Sequence, residues 1–402
     1  MRLFLALFFC TISSVLIAQT LTISGKVADK STGEPLPFAS IGIKDKPINS
    51  ITNMNGEFDF HLPSEYRNEI LVISMLGYPN YEAPVWSLLE NTSQVILMEK
   101  VSTVLDEVIV ADSLTGPDII RIAVSKVNEN YPLQPFVLEG FYRDIKKVGG
   151  TYISLLEAAV KIFDEDYAEP RNKFKLRERV RLIEVRQSLG YENRFTAYFD
   201  QDNLLEDLLL QNNIRYHYMD GDQELFDHVI REKDSYYDGH RIYVLSYVED
   251  VSLKLFVDKD NYAIIHLEYD SGPTNDIIEK RKGMYSKFVG HKKVLDFKKY
   301  EGKMFLNFMS VTSKINWYDG KTDKLNFETE LYQQLLVNNV RPNTDERIGA
   351  TEKMKNYGLQ YQDLPYNKNF WDNYNVIKDT PLDKKILVDL EKIAPLEKQF
   401  EN

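Results

Sequence analysis

Residues 21–63 constrain the fold of this chain most, because apolar side chains recur there at every second position between glycine-bearing reversals. Leu21, Ile23 and Val27 share one parity, as do Ala39, Ile41 and Ile43, and again Phe58, Phe60 and Leu62. Thr22, Ser24, Lys26, Ser40, Asp59 and His61 fall between them. Period two with one apolar face describes strands half buried in a sandwich. Thr32-Gly33-Glu34-Pro35 and Asn55-Gly56 stand where the chain must reverse. Glycine takes positive φ without steric cost, and Asn-Gly suits tight hairpins. The stretch predicts a small β-sandwich.

The same residues carry a resemblance. Gly25-Lys26-Val27, Thr32-Gly33-Glu34-Pro35-Leu36-Pro37-Phe38-Ala39, Thr52-Asn53 and Gly56-Glu57-Phe58 resemble the carboxypeptidase-regulatory-like domain. That family is a transthyretin-like β-sandwich, common at the N-terminus of exported proteins of Bacteroidetes-type bacteria. The resemblance covers residues 19–100. It implies a fold and an exported setting but no peptidase activity, because the family is named after an accessory domain of carboxypeptidases.

Met1-Arg2, an apolar run from Leu3 to Ile17 and a close at Ala18-Gln19 have the form of a cleaved secretory signal over residues 1–18. The run is short for a membrane anchor and has no basic flank after it. Phe8-Phe9 precede Cys10 where a lipidation motif has small residues, which argues against a lipid anchor there. Cys10 is the single cysteine, so the mature chain has no disulfide, thiol nucleophile or thiolate metal site. Loss of Arg2 takes the net charge from −12 to −13, which gives no electrostatic basis for binding nucleic acid. The other apolar runs are too short to cross a bilayer as helices. Tyr and Phe, at 25 and 21 residues, favour β structure over a helical bundle.

Beyond the sandwich, residues 70–74 and 94–98 supply its last strands, with Trp86 packing across the loop between them. A linker over 101–115 contains Leu105-Asp106-Glu107-Val108-Ile109-Val110, whose wording resembles the segment leading to the plug of TonB-dependent receptors. The chain is too short for the barrel such receptors need. Apolar spacing predicts a helix over 118–130 and a short one over 204–211. Strands are expected over 137–142, 152–163 and 180–185, although Leu155 to Val160 fits a helix equally well. A β-meander follows over 227–236, 241–247, 252–257 and 263–269, then strands over 283–288, 294–300, 305–317 and 326–337. The strand-turn units around Tyr243-Val244-Leu245-Ser246-Tyr247 look like those of periplasmic lipoprotein-carrier-like half-barrels. Residues 116–342 are thus expected to form a β-rich α+β domain with a large antiparallel curved sheet. Residues 343–402 form a tail that docks through Asn369-Phe370-Trp371 and 374–377. It ends in a helix from Pro381 with Ile386, Leu387, Leu390, Ile393 and Leu396 on one face.

Motifs for catalysis are lacking: there is no Gly-x-Ser-x-Gly elbow, no His-Glu-x-x-His and no phosphate-binding glycine loop. The six histidines (His61, His217, His228, His240, His266 and His291) have no metal-binding spacing, and spatial convergence is invisible in sequence. Asp258-Lys259-Asp260-Asn261 and Asp220-Gly221-Asp222 resemble calcium-loop spacing without its closing Glu, and read as hairpin turns. Asp164-Glu165-Asp166 and Glu206-Asp207 offer carboxylates for acid–base work only if a cleft gathers them. No catalytic, cofactor, metal or ligand residue is assigned. The reading is a non-enzymatic exported protein of the cell envelope, with the sandwich as interaction module. The second domain would bind an envelope protein or an apolar ligand. A lipid carrier, with an apolar cavity under the sheet, and a peptide or glycan hydrolase remain the alternatives.

Overall fold

A computed structural model describes residues 20–89, 94–101, 112–192, 195–199, 203–354, 358–362, 364–378 and 381–401. The predicted signal, Cys10 and the 105–110 run lie outside the described residues. The chain is mainly β, as the patterning predicts. Seven strands build the N-terminal domain: β1 (Thr20–Asp29), β2 (Ser40–Ile43), β3 (Asn49–Ile51), β4 (Glu57–Pro63), β5 (Ile70–Ser74), β6 (Tyr81–Pro84) and β7 (Gln94–Met98). They form two sheets, ordered β4-β1-β7 and β3-β2-β5-β6. Ile23, Val27, Ala39, Ile41, Phe58 and Phe60 are fully buried between them, so the period-two parity marks the inward face. Trp86 departs from expectation: it is 52% exposed, and Val85 and Leu88 of the same helical turn fill the core instead.

Beyond it, twelve strands among the described residues form one antiparallel sheet. Its strands are β8 (Phe136–Val148), β9 (Thr151–Asp164), β10 (Arg179–Gln187), β11 (Ile230–Arg231), β12 (Ser235–Tyr237), β13 (His240–Val248), β14 (Val251–Asp258), β15 (Ile264–Ser271), β16 (Ile277–Arg281), β17 (Met284–Tyr300), β18 (Lys303–Asp319) and β19 (Leu325–Arg341). The order is β10-β9-β8-β19-β18-β17-β15-β14-β13-β11, with β12 on β13 and β16 on β17. Three helices cover one face: α1 (Gly116–Ser125), α2 (Leu204–Leu210) and α3 (Gln223–His228). Each starts at a side-chain cap. Thr115 and Asp118 form a reciprocal capping box for α1, while Asn203 and Asp222 cap the other two. Helix α1 stops at Ser125, short of the expected 130, and a separate turn covers Val127–Asn130.

One open reading is settled by the fold and two others change. The strand expected over 152–163 is present as β9 and the helical alternative for 155–160 falls; β9 is buried on both faces, so its apolar residues do not alternate cleanly. The strand expected over 227–236 is instead the end of α3 followed by β11 and β12, since the Asp222 cap starts a helix that buries Leu225 and Phe226. The strands expected over 283–288 and 294–300 are one strand, β17, where Gly290 sits at a register shift rather than a turn.

The opposite face of the sheet is covered by two distant pieces of chain. Phe38 of the N-terminal domain stacks on Phe308 of β18 at 5.3 Å, and Ile48 bridges to Asn339. From the tail, Trp371 and Ile377 pack with Phe141, Ala159 and Leu336. A tail helix α4 (Pro381–Leu390) sets Ile386 and Leu390 on Ile145 and Leu155, and a short helical turn over Leu396–Phe400 follows it. Ile393, expected on that apolar face, is 65% exposed because the helix ends at Leu390.

Beneath the tail, Glu157 of β9 is 2% exposed and accepts from Arg143 Nε and Arg186 Nε, each at 2.6 Å. Arg143 also donates to the Ile377 carbonyl (3.1 Å), and Arg186 lies 4.4 Å over the Trp371 ring. Burial alone would raise the Glu157 pKa, but the two guanidiniums outweigh it and hold the carboxyl below its ordinary value. Removing one member of such a buried network leaves charge unpaired, at a cost of about 3–5 kcal/mol. Glu157→Gln is expected to lower unfolding free energy by roughly that amount, measured by urea denaturation at neutral pH. A loss within experimental error would contradict this role.

Candidate functional site

The N-terminal domain meets hairpin ends of the large sheet along a polar seam that leaves a cleft of about 460 Å³. One wall is Ile43, Lys44, Val72, Asn80 and Glu82; the other is Asp238 to His240 and Lys298 to Gly302. Tight turns build the second wall. Asp238 and Gly239 both take positive φ, as the two-residue turn between β12 and β13 requires. The Asp238 carboxylate then accepts from Ser74 Oγ and Asn80 Nδ2, both at 2.9 Å, and ties the turn to the N-terminal domain. A backbone bond from Gly77 N to the Tyr236 carbonyl (2.7 Å) adds a second tie.

Lys298 is the distinctive side chain of this cleft. It is partly buried, and its Nζ lies 3.4 Å from Asn49 Oδ1, which also accepts from Tyr300 Oη at 2.7 Å. Burial pulls the Lys298 pKa down, against the opposing pull of Asp238 and Asp296. Gly42 makes the approach possible, since a Cβ there would stand 3.0 Å from the Lys298 Nζ. Fully buried Asn49 keeps an Nδ2 without a hydrogen-bond partner among the described residues, as do Ser40 Oγ and Ser50 Oγ nearby. Lys44, Lys298 and Lys299 face Asp45, Glu82, Asp238 and Glu301, so the lining carries both signs. Such a surface suits a polar or zwitterionic partner and offers no apolar pocket.

A second cluster of titratable groups lies under the helices. Asp164 receives the Arg215 guanidinium at both oxygens, with the Nη2 contact at 2.8 Å. Tyr216 Oη donates to Glu178 at 2.5 Å. Burial, then the neighbouring Asp164 charge, pushes Glu178 up to about 7, although Arg215 opposes the rise. Perturbed carboxylates of this kind are found in catalytic sites. Here they are sealed: Asp164, Glu178 and Arg215 are 2%, 6% and 0% exposed, and the space beside them is about 10 Å³, room for at most one water. The chemistry is that of a buried structural pair.

The carboxylate runs singled out in the sequence do not converge. Glu165 and Asp166 lie near Arg177 at the surface, and Glu206 and Asp207 occupy the first turn of α2. Asp220 pairs with His217 and Asp222 caps α3, so the Asp-Gly-Asp run serves a turn. His61 bonds Thr22, His228 bonds a carbonyl of its own helix, and His291 bonds Ser313. His266 sits between Asp296 and Glu268. His240 alone of the described histidines meets two carboxylates on one ring nitrogen, those of Asp258 and Asp260. Sequence reading missed Lys298, Arg215 and Glu178, because their partners are many residues away and no short spacing announces them.

The fold is thus a small two-sheet domain seated on a large sheet that is filled on its helical face. Residues 23–110 match the family model of the CarboxypepD_reg-like domain, in agreement with the resemblance. Over 93 residues the chain is 32% identical to the TonB-dependent receptor SusC of Bacteroides thetaiotaomicron; the match spans 23% of this chain but only 8% of that receptor. Among solved structures, the LolA superfamily protein NE2245 of Nitrosomonas europaea is 12% identical, with 60% of this chain and 99% of that one covered at a TM-score of 0.22. MucB is 10% identical, with coverage of 56% and 98% and a TM-score of 0.21. Scores this low say nothing about ligand or mechanism. Among the described residues no helix is long and apolar enough to cross a membrane.

Glu178 gives this arrangement a pH signature. Its folded pKa, about 7, exceeds its ordinary 4.5, so its stabilising contribution is complete below pH 4.5 and is lost as pH rises through 7. The loss is about 3 kcal/mol. Glu178→Gln cannot ionise, so urea unfolding at pH 5 and pH 8 should show a smaller fall in stability than wild type. Equal falls would contradict the assignment.

Proposed function

We propose that this protein is a non-catalytic binding protein of the bacterial cell envelope that engages a protein partner through the seam cleft. In this reading residues 19–100 are the interaction module, and the large sheet is the rigid body that positions it. The observation that carries the reading is the placement of open space. The helix-covered face is packed with apolar side chains wherever it is described, while the cleft at the domain seam is open, polar and lined by both signs of charge. A CarboxypepD_reg-like domain and partial identity with a TonB-dependent receptor support an envelope setting. An exported chain with residues 1–18 removed fits that setting.

The lipid-carrier reading requires an apolar cavity between helices and sheet, and the void beside Leu209 and Phe136 measures only about 10 Å³. A hydrolase requires substrate access to its perturbed carboxylates, and Asp164 and Glu178 are enclosed.

A photo-crosslinking residue at exposed Lys299, on the cleft rim, should yield a discrete protein adduct in intact cells. The same residue at Phe174, 86% exposed and not part of the cleft lining, should not. Protein purified from its native envelope and extracted under denaturing conditions should release no stoichiometric lipid by mass spectrometry. A stoichiometric lipid together with no adduct at Lys299 would overturn the proposal in favour of a carrier.

A further inference from the structure

The end of the large sheet remote from the cleft carries a second surface. Strand β17 runs from Met284 to Tyr300, so Lys298 and Tyr300 line the cleft while Met284 and Tyr285 stand roughly 45 Å away at its other end. Two turns meet there. Lys282 and Gly283 take positive φ and close the β16–β17 hairpin. The turn after β18 is built on Asp319, whose carboxylate accepts from Lys321 N at 3.0 Å and Thr322 N at 2.8 Å. Gly320 N donates to the Gly283 carbonyl at 2.9 Å and locks the two turns together. A Cβ on residue 320 would stand 2.7 Å from that carbonyl oxygen, so the junction requires glycine.

Side chains at this end are apolar, aromatic and cationic in turn. Register places Lys280, Tyr285, Tyr318 and Leu325 in one row across four strands. The Tyr285 and Tyr318 rings stack at 5.3 Å, and Ile277, Ile278 and Leu325 are each about half exposed. Residues 276–287 and 318–325 hold six cations, Lys280, Arg281, Lys282, Lys287, Lys321 and Lys324, against the carboxylates of Asp276, Glu279, Asp319 and Asp323. The whole chain, by contrast, carries a net charge of −12. None of the six cations forms an ion pair among the described residues, whereas Lys292 and Lys314, further along the same strands, pair with Asp270 and Glu330. Of the carboxylates, Asp319 holds its own turn and Asp323 accepts from Tyr285 Oη at 3.2 Å.

The core of a protein interface is depleted in lysine. A lipid headgroup layer instead accepts lysines whose stems lie along apolar surface, and tyrosines at the water boundary. We propose that the β16–β17 and β18–β19 turns form a docking tip for an anionic phospholipid surface, with Ile277 and Leu325 entering the headgroup layer among the six cations. The acidic remainder of the chain is repelled by such a surface, so contact is restricted to this end. Attachment of this kind is peripheral and reversible, and no lipid would accompany the purified chain. The inference does not rest on the cleft reading, but it would hold the cleft clear of the bilayer.

The test is co-sedimentation of the full mature chain with vesicles of phosphatidylglycerol and phosphatidylethanolamine, against vesicles of phosphatidylcholine alone. The chain should bind the anionic vesicles, release them in high salt and ignore phosphatidylcholine. Lys321→Glu combined with Lys324→Glu should weaken binding at least about 10-fold, while Lys175→Glu, at an exposed cation elsewhere, should change it less than about 2-fold. Thermal unfolding checks that both variants fold. The sequence has no cysteine after Cys10, so a fluorophore on Lys321→Cys reports one position. Its emission should shift to the blue on anionic vesicles, and the same label on Phe174→Cys should not shift. Absence of binding to anionic vesicles, unchanged affinity of the double variant, or no shift at residue 321 would each overturn the proposal. A photo-crosslinker at Lys321 that gives a discrete protein adduct in intact cells, without lipid adducts, would overturn it in favour of a protein partner.

Discussion

A sheet that is apolar on both faces has to be covered twice, and the rest of this structure follows from that requirement. Along β8 and β9, Tyr142 and Ala158 point to the helical face while Phe141 and Ala159 point away from it. Short helices inserted among the strands cover the first face. The second is covered by chain from both ends of the sequence, with the N-terminal domain and the tail packed side by side. Asn375 joins these two covers by exchanging hydrogen bonds with the backbone of His61 on β4, at 2.7 and 2.9 Å. The Arg143–Glu157–Arg186 network lies below the tail and penalises any arrangement that leaves its charges unmatched. Networks of this kind add little net stability over well-packed apolar side chains. Here its geometry ties a chosen carbonyl and a chosen indole to the sheet.

Along the seam the N-terminal cover meets polar groups that stay open to solvent, unlike the sealed charges beneath the tail. The N-terminal domain rests by its apolar Phe38 and Ile51 on the middle of the sheet, and its β2 to β6 edge overhangs two hairpin ends. Hairpin ends are rich in Asp, Gly and Lys for conformational reasons, so the space beneath the overhang is polar by construction. Open polar space is therefore concentrated where turns from the large sheet face the small domain, while Asp164 and Glu178 stay locked in the core.

Legibility in the sequence followed the number of buried faces. Strand β4 and most of β1 bury one face, and Ile23, Phe58 and Phe60 revealed it by parity alone. Strands β8 and β9 have two, so Leu155 to Val160 lost its period and fitted a helix as well as a strand. The run before β13 misled because a capped helix of six residues is too short to show a period of its own. The stretch between 288 and 294 read as a break between strands because a bulge and a turn both use glycine. The candidate site was hardly legible at all: Asp238 meets Ser74 and Asn80, and Lys298 meets Asn49, only after the two domains dock. The turn chemistry of Asp238-Gly239 was visible, but not the domain that faces it.

The central claim is that the helix-covered face is a permanent core and the seam is the open surface. Native-state hydrogen exchange, resolved by mass spectrometry, tests this most directly. If the claim holds, amides of residues 205–209 in α2 will exchange only through the same global opening as those of β8 and β9. Fast exchange of α2 while the sheet stays protected would mean that the helix lifts to admit a ligand, and the account would fail.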